Sequence, residues 1–101
     1  MNGLTAFQRD ILYAIAGQDE PHGLAIKEEL DTYSESEINH GRLYPNLDTL
    51  VEKGLINEGC IDDRPNSYTL TTQARQAIRE RRMWENERLS GEMSGRKVLI
   101  E

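Results

Sequence analysis

Between Asn39 and Thr49 the chain reads NHGRLYPNLDT, and its polar members carry the groups that engage a nucleic acid. The Arg42 guanidinium can fork onto guanine or a phosphate, and the Asn46 carboxamide matches the edge of adenine. Asn39 and His40 precede the leucines, where backbone N–H groups at a helix start favour a phosphate. The hydroxyls of Tyr44 and Thr49 suit the same task, although Tyr44 can equally pack beneath the helix. Asp48 argues against close phosphate contact at its own position. The plain alternative for all of them is a solvated polar face.

Two further places add cations. Arg64 and Asn66 lie in DDRPNS, and arginine suits a narrow minor groove. Asp62 and Asp63 beside them would weaken that contact; the alternative is an ordinary turn. Lys27 is a phosphate candidate on the preceding helix, with Gln8 and Arg9 as lesser ones. Catalysis finds no such support. His22, His40 and Cys60 have no ligand spacing for zinc, so no metal is expected. There is no glycine-rich phosphate loop and no nucleophile motif, so neither an enzyme nor a cofactor is expected.

These groups need elements to hold them. Leu43, Leu47, Leu50 and Val51 fall on one helical face, which puts the polar residues on the other. Pro45 lies inside this helix. It removes an N–H whose partner is the Gly41 carbonyl, and its ring crowds the most adjustable residue available. A first helix is capped by Thr5, carries Phe7, Ile11, Leu12 and Ile15, and closes at Gly17. A second runs from about His22 to Tyr33, with Leu24, Ile26 and Leu30 as its apolar candidates. Residues 55–61 and 67–71 read as strands, with DDRPN as the turn of a hairpin. A last helix, capped by Thr72, extends to about Leu89. The order is helix, helix, helix, strand, strand, helix: a mainly α chain with a two-stranded wing, the winged helix-turn-helix plan. Residues 1–71 are expected to form the nucleic-acid-binding domain, 72–90 a separate C-terminal helix, and 91–101 a tail expected to be flexible.

The bulk numbers allow this with a qualification. A chain of 101 residues fits one domain. Hydrophobic residues make up only 37%, which leaves part of the core to be completed by a second copy of the chain. No apolar run is long enough for a membrane span. The start has no secretory pattern, and one cysteine fits a reducing cytoplasm. The net charge of −6 argues against a polyanionic partner, because phosphate binding needs cations. Its distribution softens the objection. Residues 1–35 hold two basic and seven acidic groups, whereas residues 72–101 hold seven basic and five acidic. An acidic chain with nine arginines and three lysines also suits a high-salt cytoplasm.

HGLAIKEEL, GRLYPNLDTLVEKGLI and YTLTTQARQAI resemble the PadR-like winged-helix transcriptional regulators. Gly41, Leu43, Tyr44, Pro45, Leu47, Leu50, Gly54, Leu55 and Ile56 carry the likeness, with Tyr68 to Thr71, and the acidic wording is similar to haloarchaeal or halophilic-virus members. The resemblance implies a regulator that binds double-stranded DNA as a homodimer on a pseudo-palindromic operator and usually represses. It implies dimerisation through the last helix with the first, and in many members a small-molecule effector, in some an aromatic one, near that interface. Ile78, Met83, Trp84, Leu89 and Tyr13 are the candidates for the interface or for an effector pocket. Two departures stand out: the C-terminal part is short, and the wing has one arginine where relatives carry more. The alternatives are a small-molecule sensor, and a winged helix used only for protein contacts.

Overall fold

The computed structural model describes residues 1, 3–35, 37–61 and 64–93; for residues 61, 64–66 and 92–93 it describes the backbone alone. The elements are α1 (Ala6–Ala16), α2 (Gly23–Ser34), α3 (His40–Glu52), β1 (Ile56–Ile61), β2 (Arg64–Leu70) and α4 (Thr72–Met93). Among the described residues, four helices and one antiparallel two-stranded sheet make a mainly helical winged helix, as expected.

Local chemistry sets the helix ends. Thr5 and Gln8 form a reciprocal capping box at the start of α1. His22 caps α2 from outside the helix, its Nδ1 accepting from the Ala25 N–H. Asn39 caps α3, its Oδ1 accepting from the Gly41 N–H at 2.6 Å. Pro45 is accommodated inside α3, as the sequence predicts. At the other end Gly54 has φ of 76°, a left-handed turn that favours glycine. The Gly54 N–H donates to the Val51 carbonyl and the Leu55 N–H to the Leu50 carbonyl, which closes the helix in a Schellman motif.

Ile11, Leu12, Ile26, Leu43, Leu47, Leu50 and Ile56 are wholly buried and join α1, α2, α3 and β1 in one core. Each such side chain contributes about 1.5–3 kcal/mol by leaving water. Leu24, an apolar candidate of the second helix, is instead exposed.

Two boundaries differ from expectation. The cap of α4 is Thr71, whose hydroxyl accepts from the Ala74 N–H, and not Thr72. The Thr71 hydroxyl also donates to the Gly54 carbonyl at 2.8 Å, which ties the end of α3 to the start of α4. A threonine one residue later cannot make both contacts. The helix then continues past Leu89 to Met93, and residues 94–101 lie outside the described ones. In the wing, β1 keeps close to its expected span, whereas β2 begins at Arg64, so the second strand is longer and the turn shorter than DDRPN. The ladder pairs Gly59 with Ser67, Cys60 with Pro65 and Ile61 with Arg64, which leaves Asn66 as the extra residue of a bulge. Both strands of a two-stranded ribbon are edges, so the missing N–H of Pro65 is tolerated there. The wing is pinned to the body by the Tyr68 N–H, which donates to the Pro21 carbonyl at 2.9 Å.

Candidate nucleic-acid interface

The outward face of α3 is the site to build. Leu43, Leu47 and Leu50 sink into the core, and that orientation alone turns Arg42, Tyr44 and Asp48 outward. The neighbouring elements then fix several of these side chains.

Arg42 is exposed, yet it is held: its guanidinium carbon lies 3.9 Å from the ring centroid of Phe7 on α1. A guanidinium over an aromatic face is attracted by the ring quadrupole. The stack keeps the planar fork in one orientation while its edge stays open to solvent. Asn46 is half-buried and engaged twice. Its Oδ1 accepts from Gln8 Nε2 at 2.9 Å, and its Nδ2 donates to the Arg42 carbonyl at 2.8 Å. Thr49 turns inward along its own helix, donating to the Pro45 carbonyl at 3.0 Å.

The start of α3 gathers Asn39, His40 and Tyr44. The His40 and Tyr44 rings meet edge to face, with centroids 5.9 Å apart. Tyr44 lies directly on the first turn of α2. A Cβ placed on Gly23 would come within 2.3 Å of the Tyr44 hydroxyl, so glycine is the residue that lets this ring approach. Tyr44 therefore does both things the sequence allows: it packs against α2 and keeps an exposed edge.

Lys27 behaves differently from the expectation that it meets a phosphate. It is buried, and its ammonium lies 2.9 Å from Asp31 and 3.4 Å from Glu37. The other Asp31 oxygen accepts from the Ile38 N–H. This cluster clasps the turn that leads into α3. The Ile38 N–H, and then the Lys27 ammonium, hold the Asp31 carboxyl below the usual carboxylate range. Asp31, with Glu37, raises Lys27 against the opposing effect of its burial. Lys27 is thus engaged in positioning α3, because its charge is already paired.

Arg64 and Asn66 enter β2 through their backbone, and their side chains lie outside the described residues, as do Asp62 and Asp63. Within the wing, Tyr68 donates to Glu58 at 3.3 Å, and burial followed by the Glu58 charge pushes its hydroxyl up to about 12.

The second set of residues lies on α4. Ile78 packs against the core, whereas Met83, Trp84 and Leu89 are 63%, 48% and 56% exposed. Arg81 and Arg88 stack over the Trp84 ring at 5.0 and 4.5 Å. Tyr13 is 42% exposed and lines a cleft of about 360 Å3 with Asp10, Glu29, Tyr33 and Glu85 of α4. Ile78 and Met83 line a separate groove along α4. Among the described residues no group of three histidines, cysteines or carboxylates could hold a metal ion. No helix among them is long and apolar enough to cross a membrane.

Phe7 and Gln8 are the residues whose part in this face goes beyond what sequence reasoning assigned. The capping pair Thr5 and Gln8 is visible in the sequence as T-x-x-Q. The reach of Gln8 to Asn46, and of Phe7 to Arg42, has no local signal.

Comparisons with known proteins agree with this geometry. The model of the transcriptional regulator PadR-like family matches residues 11–80. The structure of RosR from H. salinarum, grown from NaBr, is 46% identical with a TM-score of 0.80, over 86% of this chain and 78% of RosR. A complex structure of the same protein, RosR-S4, is 39% identical with a TM-score of 0.79, over 99% of this chain and 95% of that one. A ZitR variant from Lactococcus lactis shares the fold, with a TM-score of 0.67 at 23% identity over 92% of this chain and 60% of ZitR. A comparison with curated proteins gave no significant match. With the family matched over most of its length and the winged helix in place, the chain belongs to the PadR-like transcriptional regulators, DNA-binding proteins that act without catalysis.

Proposed function

We propose that the protein represses transcription as a homodimer, placing two copies of α3 in successive major grooves of a pseudo-palindromic operator in duplex DNA. The observation that carries this reading is the outward face of α3, where Arg42 stands on Phe7 with its donor edge open. Arg42 reads guanine or holds a phosphate. Asn39, His40 and the exposed edge of Tyr44 receive the backbone at the helix start, and Asn46 and Thr49 lie further along. Arg64 and Asn66 extend the contact from the wing. Lys27 serves the interface indirectly, through the turn it clasps.

Dimerisation uses the exposed side chains of α4. Met83, Trp84 and Leu89 are large apolar side chains, spread around α4, that a single chain leaves uncovered, and Tyr13 on α1 is exposed beside Glu85 of α4. Such side chains are what a second copy covers. The work is done in the cytoplasm, and the acidic composition suits a halophilic host. There the counterion-release contribution to affinity is small, and oriented base contacts matter more.

Selection of bound genomic fragments at several salt concentrations tests this reading. Enrichment of a site with two inverted halves, about one helical turn apart, supports it. Recovery of no DNA above background overturns it in favour of a protein-contact module. A small-molecule effector is the second reading. It is favoured by the cleft beside Tyr13 and Tyr33 and by the exposed Trp84. Quenching of Trp84 fluorescence across a panel of aromatic ligands is its readout.

A further inference from the structure

Gln8 is polar and yet only 8% exposed. Both halves of its amide are engaged. Its Oε1 accepts from the Thr5 backbone N–H at 3.1 Å. Only the carbonyl half of a carboxamide can accept that bond, so the NH2 half must point the other way. There Nε2 donates to Asn46 Oδ1 at 2.9 Å. The same constraint passes onward. With its Oδ1 receiving, Asn46 turns its Nδ2 to the Arg42 carbonyl. A main-chain N–H before α1 thus determines which atom of a side chain on α3 donates and which accepts. Each bond uses one of two places, leaving Asn46 one N–H and one lone pair.

We infer that Gln8 is a positioning residue for DNA recognition: it fixes the sense of the Asn46 amide, and with it the base preferred opposite Asn46, without touching DNA. This rests on α3 being the helix that reads the bases. One donor beside one acceptor matches the N7 and N6 pattern of adenine. A freely turning amide can also offer its NH2 to the paired acceptors of guanine. Locking the amide narrows that choice before DNA arrives, and a recognition group held by a second layer of hydrogen bonds discriminates better.

Gln8→Glu separates this role from a structural one. Glutamate at this position completes a capping box as glutamine does, so the start of α1 keeps its partner. A carboxylate has no proton to donate to Asn46 Oδ1. Asn46 must then turn its NH2 toward it, leaving Oδ1 against the Arg42 carbonyl. The experiment takes the wild-type chain, Gln8→Glu, Asn46→Ala and the double variant. Each is titrated against a fragment selected by the wild type and against copies with every base pair replaced in turn.

Gln8→Glu is expected to lose discrimination at one base-pair position per half-site by roughly five- to tenfold. The double variant is expected to lose no more at that position than Asn46→Ala alone. An even weakening across all fragments, with the positional pattern unchanged, reports only charge repulsion and overturns the inference. A pattern that Gln8→Glu alters equally when Asn46 is already alanine overturns it too. Should Gln8→Glu not fold, Gln8→Met is read by the same criteria. If the wild type binds no DNA, the reading of α3 fails and this inference fails with it; an unchanged pattern in a wild type that does bind overturns this inference alone.

Discussion

The outer face of α3 and the outer half of α4 are both exposed, and they are finished to different degrees. On α3, Arg42, Asn46, Tyr44 and Thr49 each have an intrachain partner: a ring, an amide, a glycine backbone, a carbonyl. On α4, Met83 and Leu89 are large, apolar and exposed, and Trp84 is flanked by Arg81 and Arg88 of its own helix. A face whose polar groups are already oriented in one chain is ready for a ligand that needs set donors and acceptors. A surface of uncovered apolar side chains is completed only by burial. The contrast accords with the proposal that α3 serves recognition and α4 assembly.

Breaking assembly should have the largest effect on DNA. Replacing Met83 and Leu89 together by serine removes exposed apolar surface and no core contact. Sedimentation should show monomers, with the fold intact by circular dichroism. Losing the linked second half-site should weaken binding by roughly 100-fold or more. An unchanged dimer would place the interface elsewhere. Leu47→Ala attacks the other region from beneath. It should cost about 2–5 kcal/mol of stability in a denaturant titration, because it opens a cavity under α3. An effect below 1 kcal/mol would mean that α3 is not seated as described.

Smaller changes sharpen the contrast. Phe7→Leu keeps an apolar plug and removes the ring beneath Arg42. Affinity for a selected site should fall by about 0.5–1 kcal/mol, read by fluorescence anisotropy, with little change in stability. A loss of stability without a loss of affinity would make Phe7 a core residue only.

The Lys27 clasp gives the smallest effect and a pH dependence. The folded pKa of Asp31 lies below its unfolded value of about 3.9. Its contribution to stability is therefore present above that value and is lost as pH falls through the folded one. Asp31→Asn should lower the thermal midpoint at pH 7, and the difference from wild type should close in strong acid. A gap of constant size across that range would show that the charge on Asp31 is not what holds the turn.

The elements were legible in the sequence because their signals are local. The leucine spacing of α3, the Thr5 cap and the tolerance of Pro45 opposite Gly41 each depend on neighbours within a few residues. The α4 cap was displaced by one residue because Thr71 and Thr72 are locally equivalent. Only the carbonyls at the end of α3, brought there by the fold, select Thr71. The wing turn read too long because Pro and Asn favour turns, whereas a bulged edge also accepts them. Lys27 reads as a phosphate candidate, although Asp31 stands four residues later at salt-bridge spacing. The arrangement of the candidate interface was the least legible part. Gln8 and Asn46 are 38 residues apart, and nothing in either segment announces the other.

The central claim is that the oriented face of α3 reads duplex DNA. Its most direct test is the binding of one selected operator fragment by the wild type and by Arg42→Glu, followed across a range of salt concentrations. The account predicts that Arg42→Glu retains its fold and its dimer yet loses binding at every salt concentration, because a donor fork has become a carboxylate facing DNA. Equal binding by the two proteins would contradict it.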